Sequence, residues 1–432
     1  MAAMSEGTGR RRAFALCVAV VLIVFSAPIA NAQTVNILLK GGHVIDPRNG
    51  IDAIMDVAIA GGRIQQVAPN IPTTGAQRVI DVTGLYVTPG LVDLHGHIAL
   101  NADPPDGFTF RSGVTTIVDA GTFGWRNFAD AQQQIKATQT RVLVFLAIAG
   151  NKGSRVGPQG TSQVQDLSEY DPVMTAATIK ENPSVIVGIK VWKSPDFSGI
   201  EKAVEAGRLA NVPVMIDFGE KTPPLSLEHL LLKVFRPGDI YTHTYAYHPA
   251  TREAIVDGDK NYQVRPFVLA ARKRGIIFDV GHGGGAFGWQ GAVPAMKQGF
   301  LPDTISTDLH KSSMNAGMKD MTNVMSKFLA MGMSLQQVVA ASTRKPAQVI
   351  KREELGHLSV GAEADVAVFN LHKGNFGFTD VRNRVLKATQ KLEAELTIRA
   401  GRVVWDLNGI GAIPWDREPQ AQPGGPVTSF VR

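Results

Sequence analysis

The chain has 432 residues, of which 44% are hydrophobic and 19% charged, with 44 glycines, 24 prolines, one cysteine and a formal net charge of +6. Disorder needs low hydrophobicity with high net charge, a collagen needs glycine at every third place, and a disulfide scaffold needs many cysteines, so all three classes are excluded. The length allows two or three domains of about 100 to 200 residues, or one large barrel of about 250 residues with an accessory piece.

Arg10, Arg11 and Arg12 precede an apolar run from Ala13 to Ile29, which ends in Ala30-Asn31-Ala32. A positive region, an apolar core and small residues at the −3 and −1 positions are the order of a secretory signal, and cleavage is expected after Ala32. The alternative is a membrane anchor, but about 17 apolar residues with a proline near the end sit at the lower limit for a span. Arg11-Arg12-Ala13-Phe14 leaves twin-arginine export open beside the general route. The mature chain is then periplasmic or secreted, with no stable membrane insertion. It keeps 400 residues and a net charge of +4, and Cys17 departs with the signal. The basic residues that remain do not cluster, which gives no reason to invoke nucleic acid. Any metal ligand in such a chain must be nitrogen or oxygen.

After the signal, Val35 to Val44, Asp56 to Gln66 and Arg78 to Val87 are short strand-like pieces. From Leu91 onward, eight apolar or β-branched runs recur: Leu91 to His97, Thr115 to Ala120, Val142 to Ala149, Val185 to Trp192, Val212 to Phe218, Asp239 to Tyr245, Gly275 to Val280 and Thr304 to Leu309. Helical spacing falls between or after them, at Ala203 to Leu209, Val268 to Arg274 and Met321 to Ala341. Eight strand-helix units predict an α/β fold, a closed (β/α)8 barrel over 89–356. A doubly wound sheet is the alternative, but no G-x-G-x-x-G follows the first strand. Ala364 to Asn370 and Leu396 to Trp405 again read as strands. Strand-rich flanks on both sides predict one small β domain from 33–88 and 357–410, and the proline-containing end, 411–432, reads as a mobile tail.

Polar residues gather at the C-terminal ends of the barrel runs, where barrel enzymes place their active sites. The first run ends in His95-Gly96-His97, and alternate residues of a strand share a face, so both imidazoles can meet one metal. Run four carries Lys190, run five Asp217, run six His243, run seven leads to His282, and run eight carries Asp308. His282 lies in Gly281-His282-Gly283-Gly284-Gly285, where glycines allow close backbone approach, and is read as a substrate contact, with a structural turn as the alternative. Phe123, Trp125, Tyr245 and Trp289 are candidates for the pocket wall or simply for core.

These residues carry a resemblance. His95-Gly96-His97 after Pro89-Gly90-Leu91-Val92-Asp93 resembles the entry motif of the amidohydrolase superfamily, and Gly356-His357-Leu358-Ser359-Val360-Gly361-Ala362-Glu363-Ala364-Asp365-Val366 resembles its return into the small β domain. Gly113 to Gly121 and Ile305 to His310 are similar to the amidohydrolase/deacetylase branch that neighbours the dihydroorotases. The resemblance implies two divalent metal ions, usually zinc. His95, His97 and Asp308 would hold the first, His243 would serve the second, and Lys190 would bridge them as a carbamate. A free lysine is a cation and cannot ligate, whereas its carbamate is an anion with two oxygens. Lys193 is the runner-up, but it is out of strand phase with Lys190. Run five departs from the pattern, because Asp217 stands where the family usually has a histidine. That leaves an altered metal pair, a weak second site or a single-metal enzyme, and Asp217→His is expected to raise occupancy if the position is a ligand.

The implied reaction is hydrolysis of an amide or ester, such as an N-acyl or O-acyl group on a small organic acid, by metal-activated water, with Asp308 as the catalytic proton carrier. Dihydroorotase-like cyclic amide hydrolysis is the enzymatic alternative, and a catalytically inactive scaffold barrel is the alternative of another class. The expected partner is a small acylated molecule, and self-association into a homo-oligomer is left open.

Overall fold

The computed structural model describes residues 34–98, 105–150, 167–219 and 221–417. The segment read as an export signal lies outside the described residues, as do the end of the tail and parts of the loops 99–110, 151–167 and 219–227, where substrate specificity is expected to reside. Among the described residues, no helix is long and apolar enough to cross a membrane.

Five strands precede the barrel: β1 (Val35–Asp46), β2 (Ile51–Ala60), β3 (Arg63–Ala68), β4 (Ala76–Asp81) and β5 (Tyr86–Pro89). The stretch Asp56 to Gln66 reads in sequence as one piece but forms β2 and β3, because Gly61 and Gly62, at φ 56° and 74°, turn the chain between them.

The barrel follows as β6 (Leu91–Gly96), β7 (Val114–Gly124), β8 (Arg141–Ala147), β9 (Ile186–Trp192), β10 (Val214–Asp217) and β11 (Ile240–Tyr241). After a small hairpin of β12 (Val256–Asp257) and β13 (Gln263–Val264) comes β14 (Ile277–Phe278). The barrel strands pair in the order β14-β11-β10-β9-β8-β7-β6, and every pairing is parallel. The eighth run is not a continuous strand. It bridges in parallel at both ends of the sheet, Thr304 to Asp279 and Leu309 to Gly96. Val280 N donates to Thr304 O at 3.0 Å, and His97 N donates to Leu309 O at 2.9 Å, so 304–309 is the stave that closes the ring.

Helices supply the outer layer. The helix Phe197–Ala210 begins at Asp196, whose side chain accepts from Ser198 N, and ends at Asn211 in the left-handed region. Its Gly199, Ile200, Ala203, Val204, Ala206 and Gly207 are buried, one stripe at helical spacing. A Cβ on Gly207 would lie 2.8 Å from Val214 of β10, so the glycine sets how closely helix and strand approach. The sequence segment Met321 to Ala341 forms two helices, Met321–Ala330 and Leu335–Ser342. Gly332 at φ 99° breaks it, and Ser334 and Gln337 form a capping box for the second helix.

Two long antiparallel strands, β15 (Val366–Thr379) and β16 (Val385–Arg399), and a short one, β17 (Arg402–Asp406), return the chain. β15 pairs with β5, which joins both flanks into one eight-stranded sheet, ordered β17-β16-β15-β5-β1-β2-β3 with β4 on β1. β15 and β16 run longer than their apolar patterning predicts. In the first half of β16, Lys387 and Thr389 are exposed, while Leu386 and Ala388 pack on the barrel core.

Candidate active site

The closing stave creates the site. Asp308 N donates to His95 O at 2.6 Å, which ties the eighth segment to the end of β6 and sets Asp308 beside both histidines. Its carboxylate Oδ1 is 3.0 Å from His97 Nε2 and 3.5 Å from His95 Nε2. Asp308 adopts φ 50°, an uncommon conformation for a residue with a side chain. Gly283 makes room for it, since a Cβ there would lie 2.4 Å from Asp308 Oδ2.

Each histidine is held from behind by polar groups that the sequence reading did not single out. His95 Nδ1 is 2.9 Å from Thr242 Oγ1, which donates to Asp279 at 2.7 Å. Asp279 is fully buried and also accepts from Thr304 and Ser306. His97 Nδ1 is 3.4 Å from Thr122 Oγ1, which donates to Asp119 at 2.8 Å. His243, at φ 59°, places Nδ1 against Gly281 O, and because a carbonyl oxygen accepts, Nδ1 is the donor there. Such outer partners fix ring orientation and tautomer, which is what a metal-ligating histidine needs. An acid inside an apolar strand was the available signal for Asp279, in Ile277-Phe278-Asp279-Val280.

Lys190 on β9 is buried, with Nζ 2.8 Å from His95 Nε2. Burial pushes the ammonium down from its usual value, against the pull of Asp217 and Asp308. Asp217 ends β10; its Oδ2 is 3.5 Å from His243 Nε2, and its Oδ1 accepts from Arg252 at 2.6 Å. Burial pushes the Asp217 carboxyl up, but His243, Arg252 and Lys190 together hold it well below the usual carboxylate range. Asp308 is likewise opposed by burial and held well below that range by His95, His97 and His310. His95 is lowered well below the usual imidazole value, chiefly by burial and then by Lys190. A neutral imidazole and two ionised carboxylates are the protonation states a cation requires.

The donor set fits divalent metal. Ligating atoms of His95, His243 and Asp308 all lie within 4.8 Å of one another. Two nitrogen or oxygen ligands about 2.0–2.1 Å from one tetrahedral ion are about 3.3 Å apart. The separations of 3.0 and 3.5 Å around Asp308 and of 3.5 Å between Asp217 and His243 match that spacing in two neighbouring places.

All six residues read as metal ligands line one cleft of about 790 Å³, together with Trp192, Lys193, His248, Arg252 and His310. His282 is outside this lining. It is fully buried, stacked on Phe287, with Nε2 2.6 Å from Lys327 Nζ. Nor do the four candidate aromatics line the cleft. Tyr245 is core and donates to Phe300 O, Trp289 bonds Arg384 O, Phe123 is buried, and Trp125 lies under Arg126. Trp192, last residue of β9, is the aromatic that faces the cleft, beneath Lys193 at 4.7 Å.

A deacetylase of Agrobacterium fabrum is 32% identical over 357 residues, 79% of this chain and 85% of that protein. The chain belongs to the amidohydrolase superfamily. A deacetylase of Brucella anthropi is similar at 30% identity, with 80% of this chain and 87% of that protein covered. The profile of the amidohydrolase family matches residues 256–405. Among solved structures, an adenine deaminase superposes with TM-score 0.76 at 26% identity over 86% of this chain and 100% of its own, and a dihydroorotase with TM-score 0.75 at 29% identity over 86% and 99%. This amidohydrolase is a metal-dependent hydrolase whose barrel presents a His-His-Asp cluster suited to divalent metal.

Proposed function

We propose that this amidohydrolase is a deacetylase-like enzyme that removes an N-acyl or O-acyl group from a small organic acid. The observation that carries the reading is coverage. The match to the Agrobacterium deacetylase spans 85% of that protein, whereas the match to the dihydroorotase of Geobacter sulfurreducens, though 37% identical, spans 89 residues and 20% of that protein. Cyclic amide hydrolysis is the second reading, supported by the superposition on a dihydroorotase.

His95, His97 and Asp308 would hold one ion, Asp217 and His243 the other, with Lys190 between them as a carbamate and zinc as the metal. Bound there, the ions would supply Lewis acidity to an acyl carbonyl and lower the pKa of water. Asp308, ionised and facing the cleft, accepts the proton of the attacking water and returns it to the leaving nitrogen or oxygen. The buried position of Lys190, which favours the neutral amine, supports its reaction with carbon dioxide. Residues 1–32 support export to the periplasm or medium.

The test is a panel of acylated hydroxy and amino acids, cyclic imides and dihydroorotate against the zinc-loaded protein. Turnover confined to the acylated acids supports the proposal. Turnover confined to the cyclic amides replaces it with the second reading. Reconstitution of metal-free protein with zinc in bicarbonate-free buffer should give little activity until bicarbonate is added, and equal activity without it removes the carbamate. Sequencing of the secreted protein should begin at Gln33.

A further inference from the structure

The surroundings of Asp217 are built for a carboxylate rather than for the histidine of the family pattern. The Arg252 bond to its Oδ1 is 2.6 Å long, and both side chains are withdrawn from solvent, at 6% and 9% exposure. The guanidinium reaches this place because residue 219 is glycine. A Cβ there would stand 2.4 Å from Arg252 Nε, and Gly219 holds φ at 132°. Arg252 Nη1 is buried without a hydrogen-bond partner among the described residues. A buried guanidinium that leaves an N–H group unmet is costly, so packing alone is a poor reason for its presence. The other carboxylate oxygen, Oδ2, is the one 3.5 Å from His243 Nε2, at the spacing of two ligands of one ion.

The charges balance. A histidine ligand is neutral, an aspartate adds one negative charge, and the arginine adds one positive charge. We infer that Asp217 and Arg252 act as one charge-neutral unit in place of an imidazole at the second cation position, with Arg252 setting how tightly that position holds its ion. This inference rests on the two-cation reading given above. A guanidinium and a divalent ion that share one carboxylate repel each other across a few ångströms of poorly hydrated interior, enough to change binding by about tenfold or more.

Opposite signs follow for the two single replacements. Arg252→Met leaves the carboxylate uncompensated and tightens the second ion. Asp217→His leaves Arg252 as an unpaired cation and weakens it, which reverses the sequence-based expectation for that substitution. The double replacement restores a neutral position. An arginine that merely props the loop would weaken the second ion when removed and would give no recovery in the double variant.

The experiment strips the full chain of metal and titrates it with zinc against a chromophoric chelator, alongside elemental analysis. The first binding constant should be the same in all proteins. The second should be about tenfold or more tighter in Arg252→Met, about tenfold or more weaker in Asp217→His, and within about threefold of the parent in the double variant. Weaker binding in Arg252→Met, or a double variant no better than Asp217→His, overturns the inference. Should Arg252→Met fail to fold, Arg252→Lys keeps the charge and must hold the second constant within about threefold; a larger shift overturns it equally. A parent protein that binds one zinc ion overturns the inference and leaves the hydrolase reading standing. One that binds none overturns the metal reading itself.

Discussion

At Asp308 one oxygen does two things, since Oδ1 is 3.0 Å from His97 Nε2 and 3.5 Å from His95 Nε2, while among the described residues of the cleft the same carboxylate is the acid not paired with an arginine. Asp308→Asn keeps the shape and one carbonyl oxygen but cannot take up the proton of the attacking water. Turnover should fall by roughly 10²–10⁴ while divalent-metal content stays near that of the parent, read by steady-state kinetics and elemental analysis of the same sample. Unchanged turnover would remove Asp308 from the mechanism. Gly283→Ala tests the position of the same group without touching its chemistry. The added methyl falls 2.4 Å from Asp308 Oδ2 at a residue with φ 58°, so activity should drop at least tenfold with the melting temperature lowered only modestly; wild-type kinetics in this variant would show that the carboxylate moves freely. At this scale the sequence marked the polar residues that meet in the cleft and was silent about their supports. His95, His97, Lys190, Asp217, His243 and Asp308 are chemically marked residue types at strand ends, whereas Thr122, Thr242 and Arg252 are ordinary in composition and acquire their roles only through contacts between distant strands.

Strand runs are legible where apolar residues are continuous, as in β7, β8 and β9, which are buried almost throughout. The run 304–309 is legible in the same way although two bridges replace its ladder, whereas a half-exposed strand, as in the first half of β16, is not. His282 shows what a glycine-rich motif conceals. It faces the helix Met321–Ala330 rather than the cleft, and Lys327 of that helix donates to Gly317 O at 2.6 Å and to Thr379 O of β15 at 2.8 Å as well as meeting His282. Burial brings the Lys327 ammonium down from its usual 10.5 to about 7. The unfolded chain therefore holds this proton more tightly than the folded one between those two values. Lys327 thus contributes stability that is present above about pH 10.5 and is lost as pH falls from there to about 7, on the order of 3 kcal/mol of it between about pH 9.5 and 7. Denaturant unfolding of the parent and of Lys327→Met across this range measures it. The difference in unfolding free energy between the two proteins should change with pH in that direction, and a pH-independent difference would mean that Lys327 titrates normally.

The barrel and the small β sheet are joined by charge as well as by chain. Arg141 at the start of β8 donates to Glu363 and to Asp365, both at 2.7 Å, and Arg399 at the end of β16 meets the same two acids. Gly90 N donates to Asp365 O at 2.8 Å, so this cluster lies where the chain passes from β5 into β6 and where it returns into β15. Its position was partly readable: Glu363 and Asp365 belong to the stretch that resembles the family's return into the small domain, but nothing in the local sequence named Arg141 or Arg399 as their partners. Asp365 and both arginines are largely buried, while Glu363 is 42% exposed, so the Asp365 bridges carry more of the energy. Asp365→Asn should cost about 2–3 kcal/mol, because it leaves two guanidinium groups short of a counter-charge in a partly desolvated place. Among the described residues none of this cluster lines the cleft, so kcat and divalent-metal content should stay at parent values while the melting temperature falls by several degrees. Melting followed by circular dichroism, with kinetics on the same preparation, separates the two effects. A loss of kcat without loss of stability would mean that the junction between sheet and barrel reaches the ligands through β6, the one strand that both the domain boundary and the histidine pair share.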